Sequence, residues 1–356
     1  MGYDVTIIAS QYVWDTKGKK VLTDKTTYLN DDDVKMIRLP IWHGTVDNRL
    51  KLYPDLYRTV ECEAPDILFI HDCQFLDVRT LAKYLRKHPN VKAFVDNHVD
   101  YSNGAHGWLS KNILHKILWR HCAQRIEPFV TRFYGVLPAR VDFLKELYDL
   151  PAEKCALLVM GGDDEKVEQA AHPEVRARIR TQYGIDEDDF LVMTGGKIDA
   201  YKTQTLLMME AVQRIQNERI RLIVFGSVAP ELKEKVDALA DGKKVQYIGW
   251  VQANDSYDYF AAADLVVFPG RHSVFWEQVA AQGIPMLVKD WPGTHHVDLG
   301  GNVRFLKQDS AEEIQNEIVR LIDHPEEYRK MKAVAVEKGM KEFSYARIAE
   351  RAIECE

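Results

Sequence analysis

The chain has 356 residues, enough for two domains with cores of their own, and its 46% hydrophobic and 28% charged content excludes disordered, collagen-like and low-complexity architectures. Forty-seven Lys and Arg against 54 Asp and Glu leave a net charge of −7, which argues against nucleic acid as a partner. Five cysteines (62, 73, 122, 155 and 355) lack C-x-x-C spacing, no apolar run approaches the ~18 to 20 residues of a membrane span, and no signal-peptide pattern opens the chain, so a reduced cytoplasmic protein without a metal ribbon is expected.

In chain order, short β-branched runs at 4–10, 34–40, 67–71, 91–95, 133–137 and 156–160 predict parallel strands buried on both faces. Helical patterns at 79–87 and 107–125 lie between them, the second with Leu109, Ile113, Leu114, Ile117 and Leu118 on one stripe. The alternation predicts a βαβ sheet. The stretch 79–125 holds nine Lys and Arg against Asp96 and Asp100, a net of 9 − 2 = +7 in a protein of −7. With Trp108 and Trp119 among these cations, an anionic membrane surface or a lipid-linked acceptor is an expected partner of this segment; an ordinary solvated amphipathic helix is the alternative.

After Gly161-Gly162-Asp163-Asp164 a polar stretch to residue 189 predicts a linker. A regular second domain follows, with strands at 190–194, 221–225, 245–248, 265–268 and 285–288 and helices at 203–216, 230–240, 255–262 and 273–282. Helices at 311–323, 326–341 and 345–354 close the chain. Ligands of open parallel sheets sit beyond the carboxyl ends of strands, which directs attention to three loops. Gly195-Gly196-Lys197 with Lys202 combines close backbone approach and positive charge, a diphosphate cradle on physical grounds; a solvated turn with two surface lysines is the alternative. Gly226-Ser227 is a second tight turn. In Pro269-Gly270-Arg271-His272-Ser273, Ser273 is a candidate N-cap, with Glu277 one turn into the helix, placed to bind hydroxyls or to complement the helix dipole. His295 and His296 fall in a turn-rich loop and read as surface histidines. No G-x-G-x-x-G, P-loop, G-x-S-x-G or H-E-x-x-H motif is present, which removes dehydrogenase, ATPase, serine hydrolase and zinc protease.

Tyr183-Gly184-Ile185, Asp188-Asp189-Phe190, Gly196-Lys197-Ile198 and Lys202, followed by Ala261-Ala262-Ala263-Asp264-Leu265, Phe268-Pro269, Trp276-Glu277-Gln278, Gly283-Ile284-Pro285 and Phe343-Ser344, together resemble the retaining GT-B glycosyltransferases of family 4 over nearly the whole chain. The resemblance implies an α/β GT-B fold of two Rossmann-like, doubly wound domains facing a cleft. Residues 1–162 would bind the acceptor, lacking the family's first strand and helix, 163–340 would bind the nucleotide sugar, and a helix in 341–356 would return to the first domain.

The resemblance further implies transfer of a sugar from a nucleotide-diphosphate sugar to a glycan, lipid-linked or small-molecule acceptor, with retention and without metal or other cofactor, at the inner face of a membrane. His98 would face the donor sugar, Lys197 and Lys202 would carry the leaving diphosphate, and Gly195, Gly196, Gly226, Ser227, His272, Ser273 and Glu277 would line the donor site, with Glu277 on the ribose. Asp72 and Asp100 are acceptor-side candidates, with structural ion pairs the alternative for each. Two features depart from the family pattern: Pro269 stands where a first glutamate is usual, leaving His272 or Ser273 to contact the sugar, and the chain opens near the family's second strand. They keep open a catalytically silent nucleotide-sugar-binding subunit and a sugar-nucleotide epimerase of the same fold.

Overall fold

The computed structural model describes residues 2–14, 19–41 and 51–353, so Cys355 and the last residue of the predicted closing helix lie outside the described residues. The chain divides into two compact units, one running to Leu158 and including the chain from Ala352, the other Val159–Arg351.

In the first unit β1 (Thr6–Ser10) leads into a short antiparallel hairpin, β2 (Tyr12–Trp14) and β3 (Lys20–Leu22). Next come β4 (Thr27–Leu29) and β5 (Lys35–Leu39), which join β1 in a three-stranded sheet of order β1-β5-β4. The sequence reading of residues 4–10 as a strand buried on both faces is corrected here, because Ile7 is exposed and β1 carries no fully buried residue. Helix α1 (Leu56–Glu63) ties to this sheet through Glu63, whose carboxylate accepts from Lys35 Nζ at 2.7 Å and Thr6 Oγ1 at 3.1 Å. A separate parallel sheet holds the core: β6 (Ile67–His71), β7 (Lys92–Asn97), β8 (Arg132–Gly135) and β9 (Cys155–Leu157) run side by side in chain order. Helices α2 (Val78–Lys87), α3 (Arg120–Ile126) and α4 (Pro138–Glu146) accompany them, and α2 buries Val78, Leu81, Ala82 and Leu85 at helical spacing.

Before α3 runs a wide i→i+5 helix, Ser110–Trp119. Of the apolar stripe read in the sequence, Leu109, Ile113, Leu114 and Ile117 are exposed and Leu118 packs against the core, while His115 and Trp119 are buried.

The second unit opens with two helices where the sequence predicted a linker. α5 (Asp164–Ala170) is capped by Asp163, whose side chain accepts from the Glu165 and Lys166 amides, and α6 (Pro173–Gln182) follows. What holds this polar stretch in place is buried Arg180. Its guanidinium donates to the carbonyls of Asp186, Glu187 and Asp189 and to Asp264 Oδ2 at 3.3 Å, while Arg176 donates to Asp264 Oδ1 at 2.8 Å. An apolar-pattern reading misses an element whose anchor is a cation.

Beyond them come β10 (Phe190–Gly195), α7 (Gln204–Arg214), β11 (Ile220–Phe225), α8 (Lys233–Leu239), β12 (Val245–Tyr247), α9 (Ser256–Ala262), β13 (Leu265–Phe268), α10 (Phe275–Ala281), β14 (Met286–Lys289) and β15 (Val303–Leu306). Helices α11 (Ala311–Asp323), α12 (Pro325–Phe343) and α13 (Tyr345–Ile353) end the described chain. The six strands form one parallel sheet of order β12-β11-β10-β13-β14-β15, the doubly wound arrangement in which the chain first builds outward one way from β10 and then returns to build the other way from β13. Cores on both faces are aliphatic and aromatic, with Met193, Ile223 and Trp276 on one and Val192, Leu222 and Ile318 on the other.

Removing the Arg180 guanidinium leaves Asp264 short of a partner and three carbonyls short of a donor. Arg180→Leu is expected to destabilise the second unit by about 3 kcal/mol, read from its urea unfolding midpoint, whereas Arg178→Leu, on an exposed pair with Asp258, is expected to cost less than about 1 kcal/mol.

Candidate active site

The reversal of strand order between β10 and β13 leaves a crevice at the carboxyl edge of the sheet. A pocket there is lined by Thr194, Gly195, Gly196, Lys197 and Lys202 after β10, and by Phe268, Pro269, Gly270, Arg271 and Ser273 after β13. Backbone pairing continues past the strand ends and fixes the first loop: Gly196 N–H donates to Phe225 O at 3.0 Å, Ile198 N–H to Ser227 O at 2.8 Å, and Ala229 N–H to Ile198 O at 2.8 Å. Gly226 sits against this loop with φ +128°, and a Cβ there would lie 1.9 Å from Gly196 O. Of the sequence candidates, Gly195, Gly196, Lys197, Lys202 and Ser273 therefore converge on one pocket, while Gly226 supports it from behind and Ser227 contributes its carbonyl to the loop rather than a side chain to the lining.

The lining is cationic. Lys197 is exposed and pairs with Asp199 at 3.3 Å. Lys202 is partly buried, and its ammonium has no hydrogen bond or ion pair with any described residue; burial pulls it below its ordinary value, with Asp199 opposing. Arg271, which the sequence places in the loop after β13 without marking it as a site residue, joins the lysines in this lining. Its guanidinium lies over the rings of Tyr201 at 5.4 Å and Trp291 at 5.7 Å without a carboxylate partner, so the aromatic faces hold its position and leave its charge unneutralised. Its place directly after Gly270 at a strand end was the available signal. A pocket with two cations that lack ion-pair partners and a glycine turn is suited to a multiply charged anion.

Glu277 differs from expectation. It is fully buried on α10, absent from the pocket lining, and its Oε1 accepts from His272 Nε2 at 2.7 Å and His296 Nε2 at 2.8 Å. Burial pushes its carboxyl up, but the two imidazoles outweigh that and hold it at about 2. A carboxylate so enclosed has no surface to offer ribose hydroxyls. His272 is correspondingly turned onto Glu277 rather than into the pocket, and His296, read from the sequence as a surface histidine, has a side chain only 3% exposed. His295, 58% exposed and bonded to Asp290, does lie at the surface. Ser273 does not cap α10: the N-cap is Val274, and no side chain caps this helix.

In the first unit the carboxyl edge of β6 and β7 gathers a second polar group. Asp96 Oδ2 accepts from His98 Nε2 at 3.0 Å and His71 Nδ1 at 3.2 Å, and its Oδ1 accepts from Asp72 N–H at 3.0 Å. Asp72, held at φ +63°, returns an acceptor to His98 N–H at 3.0 Å. His98 thus presents an oriented imidazole at the strand edge. Asp100 is buried and spent on Arg140 and Ser102, a structural ion pair rather than a group for acceptor hydroxyls.

Residues 188–324 match the family model described as Glycosyl transferases group 1. Mannosylfructose-phosphate synthase of Agrobacterium fabrum is 24% identical over 250 residues, 66% of this chain and 53% of that protein, so the chain spans about half the length of this curated relative. Among solved structures, sucrose-phosphate synthase from Thermosynechococcus elongatus superposes with a TM-score of 0.67 at 16% identity, covering 98% of this chain and 87% of that one. Anabaena HepE in complex with UDP superposes with a TM-score of 0.65 at 16% identity, covering 89% and 84%. The fold is GT-B, with Rossmann-like domains, and the match to the family model falls on the unit that carries the cationic pocket.

The Asp96 group generates a pH dependence. Burial raises the Asp96 carboxyl, but His71 and His98 outweigh it and hold it below the ordinary 3.8. The bond to Asp96 raises His71 above 6.5, against burial. The carboxylate's contribution is present above about pH 3.8 and lost as pH falls; that of His71 is complete below about 6.5 and lost as pH rises. Stability of the first unit from this group is therefore expected to be largest between about pH 4 and 6.5, and Asp96→Asn to lower it there by about 2 kcal/mol, measured by thermal unfolding over a pH series.

Proposed function

We propose that the protein is a glycosyltransferase whose second unit binds a UDP-sugar, with the diphosphate in the pocket between the loops after β10 and β13. The observation that carries the proposal is the partnerless, partly buried Lys202 ammonium beside the Gly195-Gly196 turn, seconded by Arg271. UDP is the nucleotide favoured because HepE, of the same fold, is solved with UDP. In the reaction an acceptor oxygen forms a bond to the anomeric carbon, the bond from that carbon to the diphosphate oxygen breaks, and the acceptor's proton passes to the departing diphosphate. The negative charge that accumulates on the leaving group is met by Lys202, Arg271 and Lys197, so the chemistry is proposed to need no divalent ion at the diphosphate. Retention of configuration and a glycan or lipid-linked acceptor follow the resemblance, and His98, oriented by Asp96, is the catalytic residue assigned to the first unit.

The first unit is further proposed to meet an anionic membrane surface. Trp108, Leu109 and Ile117 are 71%, 66% and 63% exposed, and Lys111 and Lys116 lie among them. Among the described residues no helix is long and apolar enough to cross a membrane, so the contact would be peripheral. Trp119, counted in sequence as a second interfacial ring, is buried and takes no part.

Lys202→Ala is expected to weaken UDP binding by ~1.5 to 3 kcal/mol in calorimetry, the range for hydrogen bonds to charged groups. Unchanged affinity would remove the diphosphate from this pocket. UDP binding without release of UDP from UDP-sugars, alone or with acceptor, would favour the silent binding subunit.

For the membrane surface, co-sedimentation with vesicles containing phosphatidylserine is expected at low salt and to fade as salt rises, with each cation near the surface contributing about 1 kcal/mol. Trp108→Ser with Ile117→Ser is expected to reduce pelleting without altering UDP affinity. Equal pelleting with neutral vesicles, or none with either, would leave a soluble acceptor as the better reading.

A further inference from the structure

We propose that His272, Glu277 and His296 form a binding site for a divalent transition-metal ion of the zinc class, buried in the second unit where the loop after β13 meets the segment after β14. The three residues come from the end of that loop, from α10 and from the single 3-10 turn His295–Val297, and one ligand atom from each lies within 4.8 Å of the others. Two imidazoles and one carboxylate form a ligand set that zinc, cobalt and iron(II) accept, and that magnesium and calcium, which want oxygen, do not.

The geometry asks for more than a hydrogen-bonded cluster. Both Nε2 atoms converge on the same oxygen, Oε1, at 2.7 and 2.8 Å. The other oxygen, Oε2, is buried and has no partner, on a side chain with 0% exposure. A buried acceptor left unmade costs about 1 to 3 kcal/mol, and here it stands at the focus of two metal-binding side chains. An ion between the two Nε2 atoms and the carboxylate would draw on that idle oxygen. Tetrahedral zinc at its usual bond lengths sets ligand atoms ~3.3 Å apart, so the cluster needs to open by only about half an ångström. Trp276 stacks edge-on against His272 and Phe343 against His296, giving the dry, rigid surround in which neutral imidazoles bind metal well. Arg271 and Ser273, on either side of His272, line the pocket, and His272 is the most exposed of the three ligands, which puts the approach for an ion on its side.

The first unit provides a contrast of similar composition. In His71, Asp96 and His98 both carboxylate oxygens already have N–H donors, and the His71 side chain is 70% exposed. That group is satisfied as it stands; the one around Glu277 is not.

The test is metal content, which does not depend on sugar transfer or on nucleotide. The full chain is stripped with chelator, loaded with zinc chloride and dialysed, and zinc is then counted by emission spectroscopy and melting followed with and without the ion. One zinc per chain and a higher melting temperature are expected. His272→Ala, on the most exposed ligand and so least disruptive to folding, is expected to weaken zinc binding by more than the ~10- to 100-fold that loss of an outer partner costs, and His71→Ala to leave it unchanged. Cobalt loading is expected to give the visible spectrum of a tetrahedral site in the unaltered protein and in His71→Ala but not in His272→Ala. No retained zinc in the unaltered protein, or equal retention in His272→Ala, or loss in His71→Ala, would overturn the assignment. UDP affinity measured on the stripped protein separates this outcome from the nucleotide proposal, which rests on Lys202.

Discussion

The structure of the second unit depends on one topological constraint, the reversal of strand order between β10 and β13. Two neighbouring parallel strands whose chains leave in opposite directions cannot both be covered by helices at their carboxyl ends, so a gap opens between the departing loops. Everything chemically notable in this unit grows from that gap. The loop after β10 is kept in place by continuing to pair with the segment after β11, and the pairing holds only because Gly226 carries no side chain where Gly196 O approaches. The loop after β13 brings Arg271 to the opposite rim and sends His272 inward. Rim and interior of one short loop therefore have different electrostatic tasks: the rim keeps positive charge in reach of solvent, while the interior stores a negative carboxylate under two imidazoles.

Both units use a carboxylate held by two histidines, but they place it differently. Asp96 lies one residue before the end of β7 at a polar edge, where the Asp72 amide completes its shell, and His98 is left oriented beside it. Glu277 has no such amide and no solvent, so its second oxygen goes unanswered. Two histidines and a carboxylate therefore orient an imidazole in one unit and leave a buried carboxylate oxygen without a donor in the other, and backbone context decides which.

How much of this was legible beforehand follows from what each element is built of. Strands β10 to β14 and helix α11 were written in apolar periodicity and were found within about two residues of their limits. β15 and the helices α5 and α6 were not, because Arg304 breaks the apolar run of β15, which buries only Val303 and Leu306, and the helices are anchored by Arg180 rather than by an apolar stripe. The stripe from Leu109 to Ile117 was legible as apolar, but which side of the helix it occupies is settled only by the fold, which leaves it exposed. In the site, the glycines and lysines were visible because they follow a strand in sequence. The pairing of Glu277 with His296 was not, because it joins residues 19 apart through the turn after β14 and no local pattern encodes that meeting.

Lys202 has a consequence for the life of the protein as a whole. An ammonium held partly out of water, with the Asp199 charge near it but no ion pair, costs the fold stability, and an anion that settles beside it offsets that cost in the folded chain alone. Folding and ligand supply are then linked: every tenfold rise in such an anion above its dissociation constant deepens the folded state by about 1.4 kcal/mol. Proteolysis draws on the transiently unfolded fraction, so the lifetime of the chain in a cell would lengthen when its small-molecule pool is full and shorten when the pool is drained. The abundance of the protein would thus follow the supply of its ligand without any dedicated regulator.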